Sequence, residues 1–290
     1  MGVRHYVSER AVFLYDDAQD SSLHGVRFIT DCPKYMVGRT ASKEFDTGGE
    51  AMSKIRAVIF DCYGTLVDIY TNEGKEEVFQ YLARYLQYYG ATIGAEQLKS
   101  AYELERERYL KTSNERYPEL DIEMVFATIL QKEGINNPFL AESCCKLRRV
   151  LTRERFQLFP DTLPVLREMK REGYPLAMVS DAQKVFYFEE VRTLGLDQFF
   201  DHLIVSTQFG FKKPDPRLFT IACDLLEIPP AEAVYIGDSA EKDIKGPKDI
   251  GMQMILLNRS SDENPQDPGP DYSTKNLWEA WEWIKGRGRS

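Results

Sequence analysis

The chain has 290 residues, 43% of them hydrophobic, which suffices for one large or two modest domains with a packed core. Its net charge of -9 argues against nucleic acid or an anionic membrane surface as the main partner, but not against a small anionic substrate. The five cysteines are odd in number and lack metal-ligand spacing, so we expect reduced thiols in a cytoplasmic protein. No apolar stretch approaches the roughly 20 residues that cross a bilayer. The sequence leaves open whether the protein is a monomer or a homodimer.

Residues 1–52 differ in character from the rest of the chain. They mix scattered aromatic and polar residues and show no sustained helical or alternating period. We predict a loosely ordered N-terminal extension, or a start codon assigned too early, with the natural start of the domain at Met52.

The segment R-A-V-I-F-D-C-Y-G-T-L-V-D at 56–68 is the most informative part of the chain. The apolar run at 58–60 predicts a buried strand, and the glycine turn at 64–65 ends it. Asp61 then lies at the carboxyl end of that strand, where open α/β sheets place their chemistry. An isolated aspartate in such a place usually caps a turn, so a functional role depends on the segments that follow.

A helical block occupies residues 71–159, and its apolar residues recur at helical spacing with no convincing strand among them. The block separates the first strand from the remainder of the chain. We therefore predict an inserted all-helical cap domain over 71–159 and a core made of 53–70 and 160–290.

After the block, strand-like runs alternate with helical stretches. This alternation predicts an α/β fold in which a Rossmann-like, doubly wound parallel sheet has helices on both faces. The runs are P-L-A-M-V-S-D at 175–181, H-L-I-V-S at 202–206, A-V-Y-I-G-D at 233–238 and M-Q-M-I-L-L at 252–257.

Polar residues follow these strands. Taken singly, they fit ordinary roles as helix caps, helix-terminal charges or a solvated lysine. If the strand ends meet, a hydroxyl and a lysine there could hold an anion that Asp61 attacks. The residues concerned are Ser180, Asp181, Lys213, Asp238 and Asp243.

Three carboxylates, those of Asp61, Asp238 and Asp243, would then lie close together. Like charges at short separation raise one another's pKa unless something compensates them, and one lysine cannot balance three carboxylates. A hard divalent cation can, and Mg2+ suits a site of carboxylates, waters and a substrate phosphate. We therefore predict a Mg2+ site at these strand ends.

The motifs D-x-x-G-T-L, hydrophobic-S-D, K-P-D-P and G-D-S-x-x-x-D, in this order, resemble those of the haloacid dehalogenase-like hydrolase superfamily over about residues 55–257. The resemblance implies a Rossmann-like core with a helical cap inserted after the first motif. It implies that Asp61 is a nucleophile that forms a covalent intermediate. Ser180 would hydrogen-bond the transferred group, and Lys213 would orient and neutralise Asp61.

The same resemblance assigns the remaining site residues. Mg2+ would be held by the Asp61 side chain, the Tyr63 backbone carbonyl and Asp238, with Asp243 bound directly or through water. On the substrate side it places Thr65 and Asp181, although bracing the loop is the favoured role for Thr65.

One position departs from the phosphatase pattern. Phosphatases of this superfamily usually carry a second aspartate, a general acid and base, where this chain has Tyr63, whose phenol has a reference pKa of about 10. Tyrosine there resembles the 2-haloacid dehalogenase branch, in which the departing halide needs no proton. That branch generally replaces the first aspartate of the last motif, which this chain retains as Asp238, and has asparagine in place of Asp181.

The leading hypothesis is a Mg2+-dependent phosphatase that acts on a small phosphorylated metabolite, with a good leaving group or with water or a cap residue as acid. One alternative is a 2-haloacid dehalogenase, for which Arg106, Arg108 and Arg116 are candidate halide ligands. A further alternative is a catalytically weak binding protein in which Tyr63 has impaired turnover. The cap is expected to select the substrate, and its segment 116–121 could face the active site.

Overall fold

The computed structural model describes residues 27–28, 54–259 and 269–288. Within these ranges the chain forms nine strands and ten α-helices. The strands are β1 (Arg27–Phe28), β2 (Ala57–Phe60), β3 (Val67–Thr71), β4 (Arg153–Leu158), β5 (Leu176–Ser180), β6 (His202–Val205), β7 (Ala233–Gly237), β8 (Gln253–Leu257) and β9 (Tyr272–Thr274). The helices are α1 (Glu77–Tyr88), α2 (Ala95–Thr112), α3 (Ile122–Lys132), α4 (Pro138–Thr152), α5 (Thr162–Arg171), α6 (Lys184–Thr193), α7 (Pro216–Leu226), α8 (Ala240–Asp243), α9 (Lys245–Asp249) and α10 (Leu277–Lys285).

Seven of the strands form one parallel sheet in the order β1-β6-β5-β2-β7-β8-β9. Strands β2, β5 and β7 are buried along their whole length, as expected for parallel strands covered on both faces. The four strands predicted after the helical block are present as β5, β6, β7 and β8, and β2 is present where the first was predicted. The predicted α/β fold is confirmed.

Apolar side chains cover both faces of the sheet. One cluster joins the strands to α5, α6 and α10, with Trp281 of α10 fully buried in it. The other joins the opposite face to α7 and includes Phe219, which is also fully buried. This two-sided packing leaves the ends of the strands as the place where polar groups can collect.

Helices α1 to α4, which correspond to the predicted cap, share an apolar cluster of their own, centred on fully buried residues such as Leu82, Leu98 and Phe126. A two-stranded antiparallel ribbon of β3 and β4 connects the cap to the core. The expectation that residues 71–159 contain no strand is wrong, because β4 occupies Arg153–Leu158.

The sequence of β4, R-E-R-F-Q-L, explains the error. None of its residues is buried, so it lacks the continuous apolar run that marks the core strands. Its strand conformation comes from backbone pairing with β3 and from the ion pair between Arg155 Nε and Asp68 Oδ1, 2.8 Å apart. A strand that depends on its partner in this way leaves little periodic signal in its own sequence.

Apart from β1, the predictions for residues 1–52 lie outside the described residues. The short strand β1 pairs in parallel with β6 at the edge of the sheet. Four cysteines of the described ranges, Cys62, Cys144, Cys145 and Cys223, are buried free thiols, as expected. No helix in these ranges is both long enough and apolar enough to cross a membrane.

Candidate active site

The site lies at the carboxyl ends of β2, β5 and β7, which are neighbours in the sheet. Asp61 follows β2 directly, and its backbone N–H donates to the carbonyl of Ile236 in β7 at 2.8 Å. Because the strand pairing continues to this residue, the backbone of Asp61 is held in place at the end of β2. Only 7% of Asp61 is exposed.

Lys213 lies at the centre of the polar cluster. Its Nζ is 2.8 Å from Asp61 Oδ1, 2.7 Å from Asp243 Oδ1 and 3.0 Å from the hydroxyl of Tyr235. Burial alone would lower the pKa of Lys213, but Asp243 and Asp61 together raise it well above its ordinary value. These two carboxylates therefore favour the charged form of the lysine.

The predicted convergence of three carboxylates is present. Asp61, Asp238 and Asp243 each offer one oxygen within 4.8 Å of the others. Burial, followed by Asp243 and Asp238, raises the pKa of Asp61 well above its ordinary value, and Lys213 only partly opposes this. Burial and Asp243 also raise the pKa of Asp238.

The cluster is therefore short of positive charge, and its donors are all oxygen atoms. These are the ligands that Mg2+ takes, so the residues fit the predicted cation. Both oxygens of Asp243 already accept hydrogen bonds, from Lys213 and Tyr235 on one side and from the backbone N–H of Ser239 at 2.9 Å on the other. Of the two predicted roles for Asp243, these contacts favour binding through water.

Gly64 and Thr65 let the first loop approach Asp238 closely. Gly64 has a φ of +88°, and a Cβ at this position would lie 2.3 Å from Asp238 Oδ2. The hydroxyl of Thr65, a fully buried residue, donates to Asp238 Oδ1 at 3.1 Å. This hydrogen bond ties the loop to Asp238, which agrees with the predicted role of Thr65 in bracing the loop.

Ser180 and Asp181 present polar atoms without partners beside this cluster. The Ser180 hydroxyl is buried and has no hydrogen-bond partner within the described residues, and the same is true of Asp181 Oδ2. The other oxygen of Asp181 accepts from the backbone N–H of Lys213 at 2.9 Å. Because unpaired buried polar atoms are costly, these atoms mark places where a bound group would form hydrogen bonds.

The Tyr63 hydroxyl is hydrogen-bonded to a residue outside the carboxylate cluster. The hydroxyl donates to Glu190 Oε2 at 2.6 Å, and burial is the main cause that raises the pKa of this phenol well above its ordinary value. The phenol is therefore a neutral donor that is already engaged. The predicted role of the Tyr63 carbonyl as a metal ligand stays a prediction.

Glu190 is the centre of a buried ion cluster that the sequence analysis missed. Its carboxylate accepts from Arg149 at 2.7 and 2.8 Å and from Arg153 at 2.9 Å. These partners lie 41 and 37 residues away in the chain, so no local sequence pattern predicts the cluster. Tyr235, also missed, could have been found, because a tyrosine inside a fully buried strand needs a partner for its hydroxyl.

We expect Glu190→Ala to lower the free energy of unfolding by about 3 to 5 kcal/mol, because it leaves two arginines without their buried partner. Urea denaturation measures this effect. The control is Glu189→Ala, whose side chain is 65% exposed and pairs with Lys146 at the surface, where less than about 1 kcal/mol is expected. Equal losses in the two variants would contradict the importance of the buried cluster.

A cavity of about 440 Å3 lies between the cap and the core. Segment 116–121 reaches the core there, since the Glu119 N–H donates to the Gly210 carbonyl at 3.0 Å and Ser206 donates to Glu119 Oε2 at 2.7 Å. Burial raises the pKa of Glu119 to about 7, even though the Ser206 hydrogen bond opposes this.

The three arginines predicted as halide ligands lie in different places. Arg106 lines the cavity, whereas the side chain of Arg108 is 69% exposed and Arg116 lies over the ring of Tyr117. Two cap arginines that the sequence analysis did not single out, Arg148 and Arg149, also line the cavity.

Curated proteins similar to this chain are named as phosphatases. The N-acylneuraminate-9-phosphatase of Mus musculus is 26% identical over 233 residues, which cover 79% of this chain and 93% of that protein. The glyceraldehyde 3-phosphate phosphatase of Methanopyrus kandleri is 34% identical over 118 residues, or 39% of this chain. The chain spans about half (51%) of the length of that second relative.

Solved structures show the same fold. A 2-haloacid dehalogenase from Pseudomonas syringae superposes with a TM-score of 0.61 and 24% identity, over 80% of this chain and 99% of that one. A phosphatase from Thermococcus onnurineus superposes with a TM-score of 0.54 and 23% identity, over 81% of this chain and 100% of that one. The family model of the haloacid dehalogenase-like hydrolases matches residues 55–251, and the chain therefore belongs to this family.

Proposed function

We propose that this protein is a Mg2+-dependent phosphatase that hydrolyses a small phosphorylated metabolite through a covalent intermediate on Asp61. The observation that carries the proposal is the convergence of Asp61, Asp238 and Asp243 around one buried lysine. The phosphatase names of the curated relatives support the same reaction.

In the first step a carboxylate oxygen of Asp61 attacks phosphorus, and the ester oxygen leaves with its electron pair. Lys213 Nζ holds Asp61 at 2.8 Å and lies close enough to share its charge with the phosphoryl oxygens. The unpartnered Ser180 hydroxyl would donate to one of these oxygens. In the second step water attacks the aspartyl phosphate, releases inorganic phosphate and restores the Asp61 carboxylate.

Mg2+, held by Asp61, Asp238 and the Tyr63 carbonyl with Asp243 through water, would supply the positive charge that keeps these carboxylates ionised beside a phosphate. Asp243 would also position Lys213, to which it lies 2.7 Å away. Asp181 would help to position the same lysine, because its carboxylate accepts a hydrogen bond from the Lys213 backbone N–H.

The engaged phenol of Tyr63 cannot supply a proton to the leaving group. Substrates whose leaving groups need little protonation should therefore react fastest. Aryl and acyl phosphates meet this condition better than alkyl phosphates.

Phosphate release tests the proposal. We expect 4-nitrophenyl phosphate and acetyl phosphate to be hydrolysed with Mg2+, faster than glycerol 3-phosphate, and not in the presence of a chelator. Activity that a chelator leaves unchanged would refute the proposal. Binding of a phosphate analogue without turnover of any ester would instead favour the catalytically weak binding protein.

The 2-haloacid dehalogenase stays as the second candidate because Tyr63 matches the first motif of that branch. A haloacid is a monoanion, and it would meet carboxylates whose pKa values are raised first by burial and then by one another's negative charge. The charge balance therefore favours the phosphatase. Chloride release from 2-chloropropionate without added metal would reverse this preference.

A further inference from the structure

The cavity between the cap and the core has core-side lining residues that lie close in the chain to residues of the proposed reaction centre. Three of its core-side residues are near neighbours of site residues in the chain: Lys212 precedes Lys213, Lys242 precedes Asp243 and Gln183 follows Asp181. Its volume of about 440 Å3 is in the range of small-molecule sites. A substrate whose phosphate meets Asp61 would therefore place its remaining atoms in this cavity.

The walls of the cavity are cationic, although the whole protein is acidic. Lys212 and Lys242 form no ion pair with any residue of the described ranges, and burial raises the pKa of Glu119 to about 7, which favours its neutral form more than that of an ordinary glutamate. Arg149 already forms an ion pair with Glu190, at 2.7 Å. The charged residues of the lining are Arg106, Arg148, Arg149, Lys212 and Lys242 against Glu73 and Glu119.

Arg148 on α4 is the cap residue best placed to receive an anion. Its side chain is 11% exposed, and its guanidinium lies over the ring of Tyr102, 5.1 Å from the centroid. Its only ion pair in the described chain is with Glu73, at 3.2 Å, and the Glu73 side chain is 67% exposed. Its Nε is buried and has no hydrogen-bond partner there.

A buried guanidinium N–H without an acceptor is costly, and a ligand that supplies an acceptor removes this cost. The guanidinium also presents its donors as a planar fork that matches a carboxylate or a phosphate. The stacking on Tyr102 holds the fork in place, so little side-chain freedom is lost on binding.

We propose that this cavity binds a second anionic group of the substrate, a carboxylate or a second phosphate, through Arg148. The proposal rests on the proposed phosphatase function and narrows it, because the substrate is then a phosphorylated acid or a bisphosphate. Lys212 and Lys242 line the same cavity and would add to the positive charge that attracts an anionic substrate.

Isothermal titration calorimetry with Mg2+ and the Asp61→Asn variant measures binding without turnover. We compare 3-phosphoglycerate with glycerol 3-phosphate, which differ in a carboxylate, and fructose 1,6-bisphosphate with fructose 6-phosphate, which differ in a phosphate. In at least one pair the ligand with the second anion should bind about tenfold to a hundredfold more tightly. The pair that shows the preference identifies the anion.

In the Asp61→Asn background we then add Arg148→Met, which keeps the length of the side chain but not its charge. The preference for the ligand with the second anion should fall to less than about threefold. Arg148→Gln replaces the methionine variant if that variant does not fold. The matched control is Arg108→Met, on an exposed cap arginine outside the cavity lining, and it should leave the preference unchanged.

Equal affinities within both pairs, binding of no probe, or a preference that survives the loss of Arg148 would each overturn the inference. A separate assay of phosphate release by the unaltered protein keeps the two proposals apart. If the binding preference is present but no ester is hydrolysed, the proposed phosphatase function fails and the anion site stands.

Discussion

We expect Asp61→Asn to lower kcat for phosphate release by at least about 10^4-fold, because the amide cannot form the covalent intermediate. The substitution keeps the size of the side chain and its place beside Lys213, which lies 2.8 Å from Asp61 Oδ1. It therefore removes the nucleophile and one negative charge without opening a cavity. Steady-state assays with 4-nitrophenyl phosphate and Mg2+ measure the effect.

The matched control is Asp68→Asn in the strand that follows the same loop. Asp68 pairs with Arg155 in the β3–β4 ribbon, with its side chain 22% exposed, and it takes no part in the carboxylate cluster. Its loss should change kcat by no more than a few-fold. Turnover in Asp61→Asn within tenfold of the unaltered protein would show that another group attacks the phosphate.

The second large effect is expected from Asp238→Asn. Lys213 Nζ lies within hydrogen-bond distance of Asp61 and Asp243 but not of Asp238. The charge of Asp238 therefore depends most on a bound cation for its neutralisation. Replacing a residue that only hydrogen-bonds to a metal ligand costs up to roughly 100-fold in activity. Asp238 is a proposed ligand itself, so its loss should reduce Mg2+-dependent activity by more than this. Activity is measured over a Mg2+ titration, with Asp249→Asn on the surface of α9 as the control.

The same variant gives a readout that does not depend on turnover. Burial and Asp243 raise the pKa of Asp238 in the folded protein, so its ionised form destabilises the fold above that pKa. In chelator the unaltered protein should therefore become less stable, through this group, as the pH rises through the folded pKa. Asp238→Asn should lack this loss and match or exceed the unaltered protein in Tm at neutral pH.

Mg2+ should raise the Tm of the unaltered protein, because it binds the folded state and neutralises the cluster. Asp238→Asn should show little of this rise. Calorimetry from about pH 4, near the ordinary pKa of an aspartate, up to about pH 8, with and without Mg2+, tests both expectations. An equal Mg2+ effect in the two proteins would place the cation elsewhere.

The central strands and the reactive residues at their ends can be predicted from the sequence alone. Strands β2, β5 and β7 are continuous apolar runs because both of their faces are buried, and such runs are visible without any partner. Parallel strands place their carboxyl ends at one edge of the sheet, so Asp61, Lys213, Asp238 and Asp243 could be expected to meet.

The surroundings of these residues depend instead on contacts between distant parts of the chain. The Glu190 cluster joins α4, α6, β4 and the loop after β2, and β4 is a strand only because β3 pairs with it. The cationic cavity likewise depends on how the cap closes on the core. Contacts between residues far apart in the chain have no periodic signature, since each depends on where other elements pack.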